Sequence, residues 1–241
     1  MKTRSIAAIL CLLLLASCKK EESREVEAPQ SPTTIDLTAA DIPILPIKQG
    51  DYWKYRVSVE IPAGITSEGA AAVSLETEKT RTFLGKVTVS KERPPVDAFD
   101  VVVPGQPTER ELVEIKDDRV MMVGTDRPEI EDAKPSWLDP PIPFVIAGMR
   151  SGQEMVPFTI LEGTVKRGVK VVAREETEVP AGKYWTIHML MTGNDGESEI
   201  RRTTWFAPGI GIVKEEKSRY AGDKLLFREI TELVETNVKT K

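Results

Sequence analysis

The stretch Tyr52-Trp53-Lys54-Tyr55-Arg56-Val57-Ser58-Val59 decides how this chain is read. Apolar or aromatic residues fall at 53, 55, 57 and 59, the period of two that puts one face of a strand in a core and the other in solvent. The same alternation runs through 82–89, 99–103, 112–115 and 120–123, and again through 169–173, 184–191, 200–206 and 210–213. Residues 225–234 are rich in β-branched side chains and follow the turn Ala221-Gly222-Asp223, which predicts a closing strand there rather than a short helix. Lys116-Asp117-Asp118-Arg119, Asn194-Asp195-Gly196 and Ala207-Pro208-Gly209 supply residues that tolerate tight or left-handed backbone. Strands separated by such turns predict a mainly β, antiparallel fold with little helix: a curved sheet, half-barrel or sandwich. Glu68-Gly69-Ala70-Ala71-Ala72 breaks the alternation, so 67–79 is expected to be one short helix or a loop.

The chain has 241 residues, with 33 Lys+Arg against 38 Asp+Glu, a formal net charge of −5. That acidic balance offers no basic surplus to neutralise a phosphate backbone, which excludes ordinary nucleic-acid binding. All the aromatic residues (Phe 6, Trp 4, Tyr 4) lie between Tyr52 and Phe227, so the core-forming material begins near Gly50.

Residues before it read as an address. Lys2 and Arg4 precede an apolar run from Ile6 to Leu15, too short to span a bilayer as a lasting helix, followed by Leu15-Ala16-Ser17-Cys18. This resembles a bacterial lipoprotein signal peptide with its lipobox. The resemblance implies removal of 1–17, a diacylglycerol thioether on Cys18 and an acyl group on the new amino terminus, giving several acyl chains and a stable anchor. Cys11 leaves with the signal, so Cys18 is the one cysteine of the mature chain and no disulfide staples the fold. Residues 18–48 form the anchor and an extended, proline-containing tether, reaching about 30 Å as a flexible chain. At its end, Ile42, Ile44, Leu45 and Ile47 are expected to lie against the domain as an arm or edge strand. In enterobacterial lipoproteins Asp after the lipidated Cys favours inner-membrane retention; Lys19 stands there in this chain, which points to the outer membrane.

The remainder divides into a first β unit (49–127), a proline-rich bridge (128–157), a second β unit (158–236) and a polar tail (237–241). Gly85-Lys86-Val87-Thr88-Val89-Ser90-Lys91-Glu92 can be laid on Gly168-Val169-Lys170-Val171-Val172-Ala173-Arg174-Glu175, which would make the units related β-meanders, though any two alternating segments align nearly as well. In the bridge, Pro140, Pro141 and Pro143 remove amide donors, so 135–146 is excluded as a central strand. Trp137, Phe144 and Ile146 are expected to be a plug completing the core or a lid over an apolar cavity.

Val179-Pro180-Ala181-Gly182-Lys183-Tyr184, with Thr204-Trp205-Phe206-Ala207-Pro208-Gly209-Ile210-Gly211-Ile212-Val213-Lys214, is similar to a pattern in uncharacterised bacterial exported β-sheet lipoproteins. It implies a hairpin fold and no chemistry. The signal, tether and curved sheet together distantly resemble the half-barrel architecture of LolA/LolB-like lipoprotein carriers, whose members bind acyl chains; no binding residue carries over.

Catalytic signals are sparse. His188, the single histidine, lies in an apolar strand with neither a Gly-x-Ser-x-Gly elbow nor a mature-chain cysteine nucleophile to serve it. Asp117-Asp118, Asp195-Gly196-Glu197-Ser198-Glu199 and Glu215-Glu216 lack calcium-loop spacing and read as solvated hairpin tips. No metal or cofactor is expected. The chain is therefore expected to be a non-enzymatic binding or scaffold module, taking an envelope protein, a polysaccharide or an acyl ligand through Trp53, Trp137, Phe144, Trp185 or Trp205. The alternative is a carboxylate-dependent hydrolase of envelope polymers, which would need two acids facing one cleft with at least one pKa raised.

Overall fold

A computed structural model of the chain describes residues 43–65, 67, 69–154, 158–160, 165–194 and 196–239. The signal segment, Cys18, Lys19, Ile42 and most of the tether lie outside them. Trp53, Tyr55 and Val57 are buried while Lys54 and Arg56 are exposed, which is the period of two that the sequence predicts for this segment. The strand it forms, β1 (Tyr52–Ile61), is followed by β2 (Val73–Val87), β3 (Val96–Val102), β4 (Glu109–Lys116), β5 (Arg119–Asp126) and β6 (Ser136–Ile146). Then come β7 (Phe158–Ile160), β8 (Val165–Val179), β9 (Gly182–Asn194), β10 (Glu199–Ala207), β11 (Gly211–Ala221) and β12 (Lys224–Thr236). No described residue is helical.

All of these strands belong to one antiparallel sheet in the order β6-β5-β4-β3-β2-β1-β12-β11-β10-β9-β8-β7. Each arm is a meander of consecutive hairpins, and the first and last strands join the arms, with Trp53 paired to Thr236 and Val57 to Thr231. The order is that of an up-and-down barrel with one seam, between β6 and β7. The link after β6 crosses it: Gly152 donates to Val171 O (2.8 Å), Val171 donates to Gln153 O (3.1 Å), and Arg174 Nη2 donates to the carbonyls of Ala147 (2.7 Å) and Met149 (3.0 Å). The sheet curls far enough that Phe144 of β6 meets Arg202 of β10 at 4.8 Å, and one core cluster draws residues from β1–β6 and from β8–β12.

One end of this curled sheet, the base, is shut by aromatic packing. Trp53 meets Phe99 edge-on (centroids 5.6 Å), Phe99 meets Phe83 (5.1 Å), and the Trp53 indole donates to Ile210 O (2.8 Å). The arm expected from Ile44, Leu45 and Ile47 lies there. Ile44 N donates to Asp117 O of the β4–β5 turn, and Gly209 N of the β10–β11 turn donates to Ile44 O, both at 2.9 Å, so the arm ties the two halves together. Ile44 and Leu45 are buried, and Gly211, at φ +113°, lets the β10–β11 turn pass close to the Trp53 indole and Leu45.

The structure corrects three sequence expectations. Most of 67–79 is neither helix nor loop, because β2 begins at Val73 and runs on as strand. The bridge is not a lid: its residues 136–146 are the edge strand β6, which completes the core through Phe144 and Ile146 and where missing amides cost no ladder bond on the open side. Segments 85–92 and 168–175 occupy different places, the first leaving β2 for a loop and the second inside β8, so what the two halves share is the meander alone.

Candidate functional site

Above the base the buried face of the sheet turns from apolar to charged. Lys79, Arg81 and Phe83 follow one another on the same face of β2, opposite Tyr55, Trp53 and Phe99 respectively. The Arg81 guanidinium lies 3.7 Å over the Phe99 ring, and its Nε donates to Glu111 Oε2 of β4 at 2.7 Å. On the other arm Arg202 Nε donates to Glu215 Oε2 at 2.6 Å. Lys217 Nζ stands 3.0 Å from Glu215 Oε1 and 3.1 Å from Glu229 Oε1. Arg81 and Arg202, carried by opposite arms, both stand over the ring of Phe144 at 5.4 and 4.8 Å.

The electrostatics follow from that crowding. Burial alone would push the Glu215 carboxyl up, but Arg202, Lys217 and Lys79 outweigh it and hold the group well below the usual carboxylate range. Glu215 in turn raises the Lys217 ammonium against the opposing effect of burial. Lys79 goes the other way: burial first and the neighbouring Lys217 second push it down. Burial also pushes up the Tyr55 hydroxyl, which donates to Ile212 O at 3.0 Å.

The outer face of β9, β10 and β11 carries a separate feature, an open groove of about 380 Å³. Leu190, Thr192, Thr203 and Ser218 line its floor and walls together with Glu199, Arg201, Glu216 and Tyr220. Its charged groups are paired. Arg201 Nε donates to Glu199 Oε1 (2.6 Å) and its guanidinium stands 4.8 Å over the Tyr220 ring, while Arg228 donates to both oxygens of Glu216 (2.9 and 3.2 Å). Arg201 holds the Glu199 carboxyl below its ordinary value.

The aromatic candidates scatter. Trp53 (1% exposed) and Phe144 (2%) are core. Trp137, half-buried on β6, has the Arg93 guanidinium 4.2 Å over its ring. Trp185 is 41% exposed on β9. Trp205 stacks on His188 (4.6 Å) and donates from Nε1 to Glu175 Oε1 (2.9 Å); His188 Nδ1 lies 2.9 Å from the same oxygen. None of the five lines the groove.

Among the acids read as hairpin tips, Glu215 is 4% exposed and central to the charge network, and Glu216 and Glu199 line the groove. The missed signal was positional: Glu215 and Lys217 continue the face of Val213, as Lys79 and Arg81 continue that of Phe83. Among the described residues no group of three His, Cys, Asp or Glu is placed to hold a metal ion.

No family model matches the sequence, and no curated protein matches it. Two crystal structures are similar over 81% of this chain and 99% of theirs, each at 11% identity. One, provisionally described as an exported protein with a YmcC-like fold, is from Bacteroides fragilis (TM-score 0.43). The other, provisionally described as a lipoprotein, is from Parabacteroides distasonis (TM-score 0.44).

Proposed function

We propose that this chain is a lipid-anchored protein of the bacterial cell envelope, held by Cys18 and favouring the outer membrane, whose barrel is a non-enzymatic binding module for an uncharged envelope polysaccharide. The lipobox Leu15-Ala16-Ser17-Cys18 and Lys19 support the address. The observation that carries the ligand class is the groove on β9–β11. Its ionic groups are already paired, Arg201 with Glu199 inside it and Glu216 with Arg228 beside it, so it offers little surplus charge to an ionic ligand. What remains is the Tyr220 ring, one face of which the Arg201 guanidinium covers, and the hydroxyls of Thr192, Thr203 and Ser218, groups that suit the hydroxyls of a neutral sugar.

An acyl ligand fits less well, because above the aromatic base the inward face is lined by ion-paired side chains rather than by hydrocarbon. The hydrolase reading requires a carboxyl held protonated near neutral pH. In the groove Arg201 shifts Glu199 in the opposite direction, which favours binding over bond cleavage.

The test uses the full-length protein. Metabolic labelling with a palmitate analogue should mark the parent and leave Cys18→Ser unlabelled. On an array of neutral bacterial polysaccharides the detergent-solubilised protein should bind at least one, release no reducing ends, and lose tenfold or more in affinity on Tyr220→Ala. No binding across the array, or binding indifferent to Tyr220→Ala, overturns the polysaccharide reading.

A further inference from the structure

The charge network on the buried face is not balanced. It holds Lys79, Arg81, Arg202 and Lys217 against Glu111, Glu215 and Glu229. Each carboxylate is committed: Glu111 to Arg81, Glu215 to Arg202 and Lys217, and Glu229 to Lys217. The surplus charge is Lys79. Among the described residues no carboxylate stands within ion-pair distance of its ammonium, whose hydrogen bond goes to the neutral Thr231 hydroxyl at 3.3 Å. An ammonium has three donors, and the other two meet no protein acceptor among the described residues.

A second cation is under-used. Arg81 is 6% exposed, and both its Nε and Nη2 crowd the single oxygen Glu111 Oε2 at 2.7 Å. Only the Nε contact is aligned, which leaves Nη2 buried without a hydrogen bond. Leaving such donors unsatisfied is costly, and a buried unpaired cation costs more than a neutral group. Lys79 and Arg81 lie two residues apart on one face of β2, and Lys217, whose side chain is 42% exposed, keeps this cluster in reach of solvent.

We propose that Lys79 and Arg81, with Lys217 at the rim, form a binding site for a small oxyanion of the phosphate type inside the upper half of the barrel. One such group would neutralise the ammonium surplus and accept the unspent hydrogen bonds of both cations. The site is separate from the outer groove, because it faces the core across β1 and β2 rather than solvent on β9–β11. The oxyanion is either the free ion or the terminal group of a larger ligand such as a phospholipid headgroup.

Thermal unfolding of the full-length protein, with inorganic phosphate against chloride at matched ionic strength, provides the test. Phosphate is expected to raise Tm by several degrees and to saturate at millimolar concentration, with the apparent affinity falling tenfold or more in Lys79→Gln. Dihexanoyl phosphatidylglycerol, competing for the phosphate effect below its micellar concentration, would assign the site to a headgroup; phosphate acting without such competition would assign it to the free ion. Equal effects of phosphate and chloride, or a phosphate effect unchanged in Lys79→Gln, overturn the proposal. A direct readout in the parent protein stands independently of whether that variant folds: the Lys79 side-chain NMR signals should shift saturably with phosphate, and signals that stay fixed overturn it equally.

Discussion

The base and the upper half of the barrel are built on the same strands and teach different lessons about what holds a sheet together. At the base, Trp53, Phe83, Phe99, Phe206 and Leu233 pack by shape, and apolar burial contributes about 25 cal/mol per Å² without regard to pH. A few residues along, the same inward-facing positions carry Lys79, Arg81, Arg202, Glu215, Lys217 and Glu229, which have given up much of their hydration and, Lys79 apart, recover it through ion pairs. The first region is robust to ionic conditions and sensitive to volume. The second is sensitive to any change of charge and open to ligands that carry one.

The base should give way most when volume is removed. Trp53→Ala deletes a fully buried indole and orphans Ile210 O, and is expected to cost about 4 kcal/mol, read from urea denaturation. Trp53→Phe keeps most of the volume and should cost less than half as much. If the two variants are equally destabilised, the hydrogen bond rather than the packing governs the base. In the upper half, Glu215→Gln is nearly isosteric yet strands Arg202 and Lys217, at an expected cost of about 3 kcal/mol. Its signature is the pH profile. A carboxyl held below its unfolded value near 4.5 contributes stability that is present above that pH and is lost as pH falls through the folded-state value. The parent should therefore weaken progressively below about pH 4.5, with a steeper slope than Glu215→Gln, and parallel slopes would remove Glu215 from this role.

The arm closing the base provides a smaller perturbation. Ile44→Ala shortens a side chain that is 2% exposed while keeping both backbone bonds to Asp117 and Gly209, and should cost about 2 kcal/mol. No change in stability would mean that the backbone bonds alone hold the arm.

The same contrast explains which parts of the molecule were legible beforehand. The strands around Trp53, Phe99, Ile187 and Phe206 announced themselves, because apolar and polar residues alternate wherever one face is buried in hydrocarbon. The upper halves of β2 (Ser74, Glu76, Thr77, Glu78, Lys79) and β11 (Lys214, Glu215, Glu216, Lys217) carry polar residues on both faces, so periodicity could not separate a strand from a loop or helix there. That 135–146 is no central strand was readable from its prolines, but its service as a barrel wall required knowing that the sheet curls until Phe144 meets Arg202. The candidate groove was hidden for another reason: Leu190 comes from β9, Arg201 from β10, and Glu216 and Tyr220 from β11, and register, not sequence spacing, sets them side by side.

The smallest effect belongs to the ion pairs on the outside of the sheet, and it closes the comparison. Lys54 and Glu235 on the outer face of β1 and β12 are 2.9 Å apart, as short as many contacts of the interior network, and both side chains are about half exposed (49% and 48%). Tyr52 also donates to Glu235, and these partners hold its carboxyl below the ordinary value. Water nevertheless solvates each charge when the pair is broken, so distance alone is no measure of worth. Glu235→Gln should leave Tm and the acid limb of the stability profile within error of the parent, in contrast to Glu215→Gln. If the two substitutions instead cost the same, burial is not what gives the interior charges their leverage, and the distinction between the two halves of the barrel fails with it.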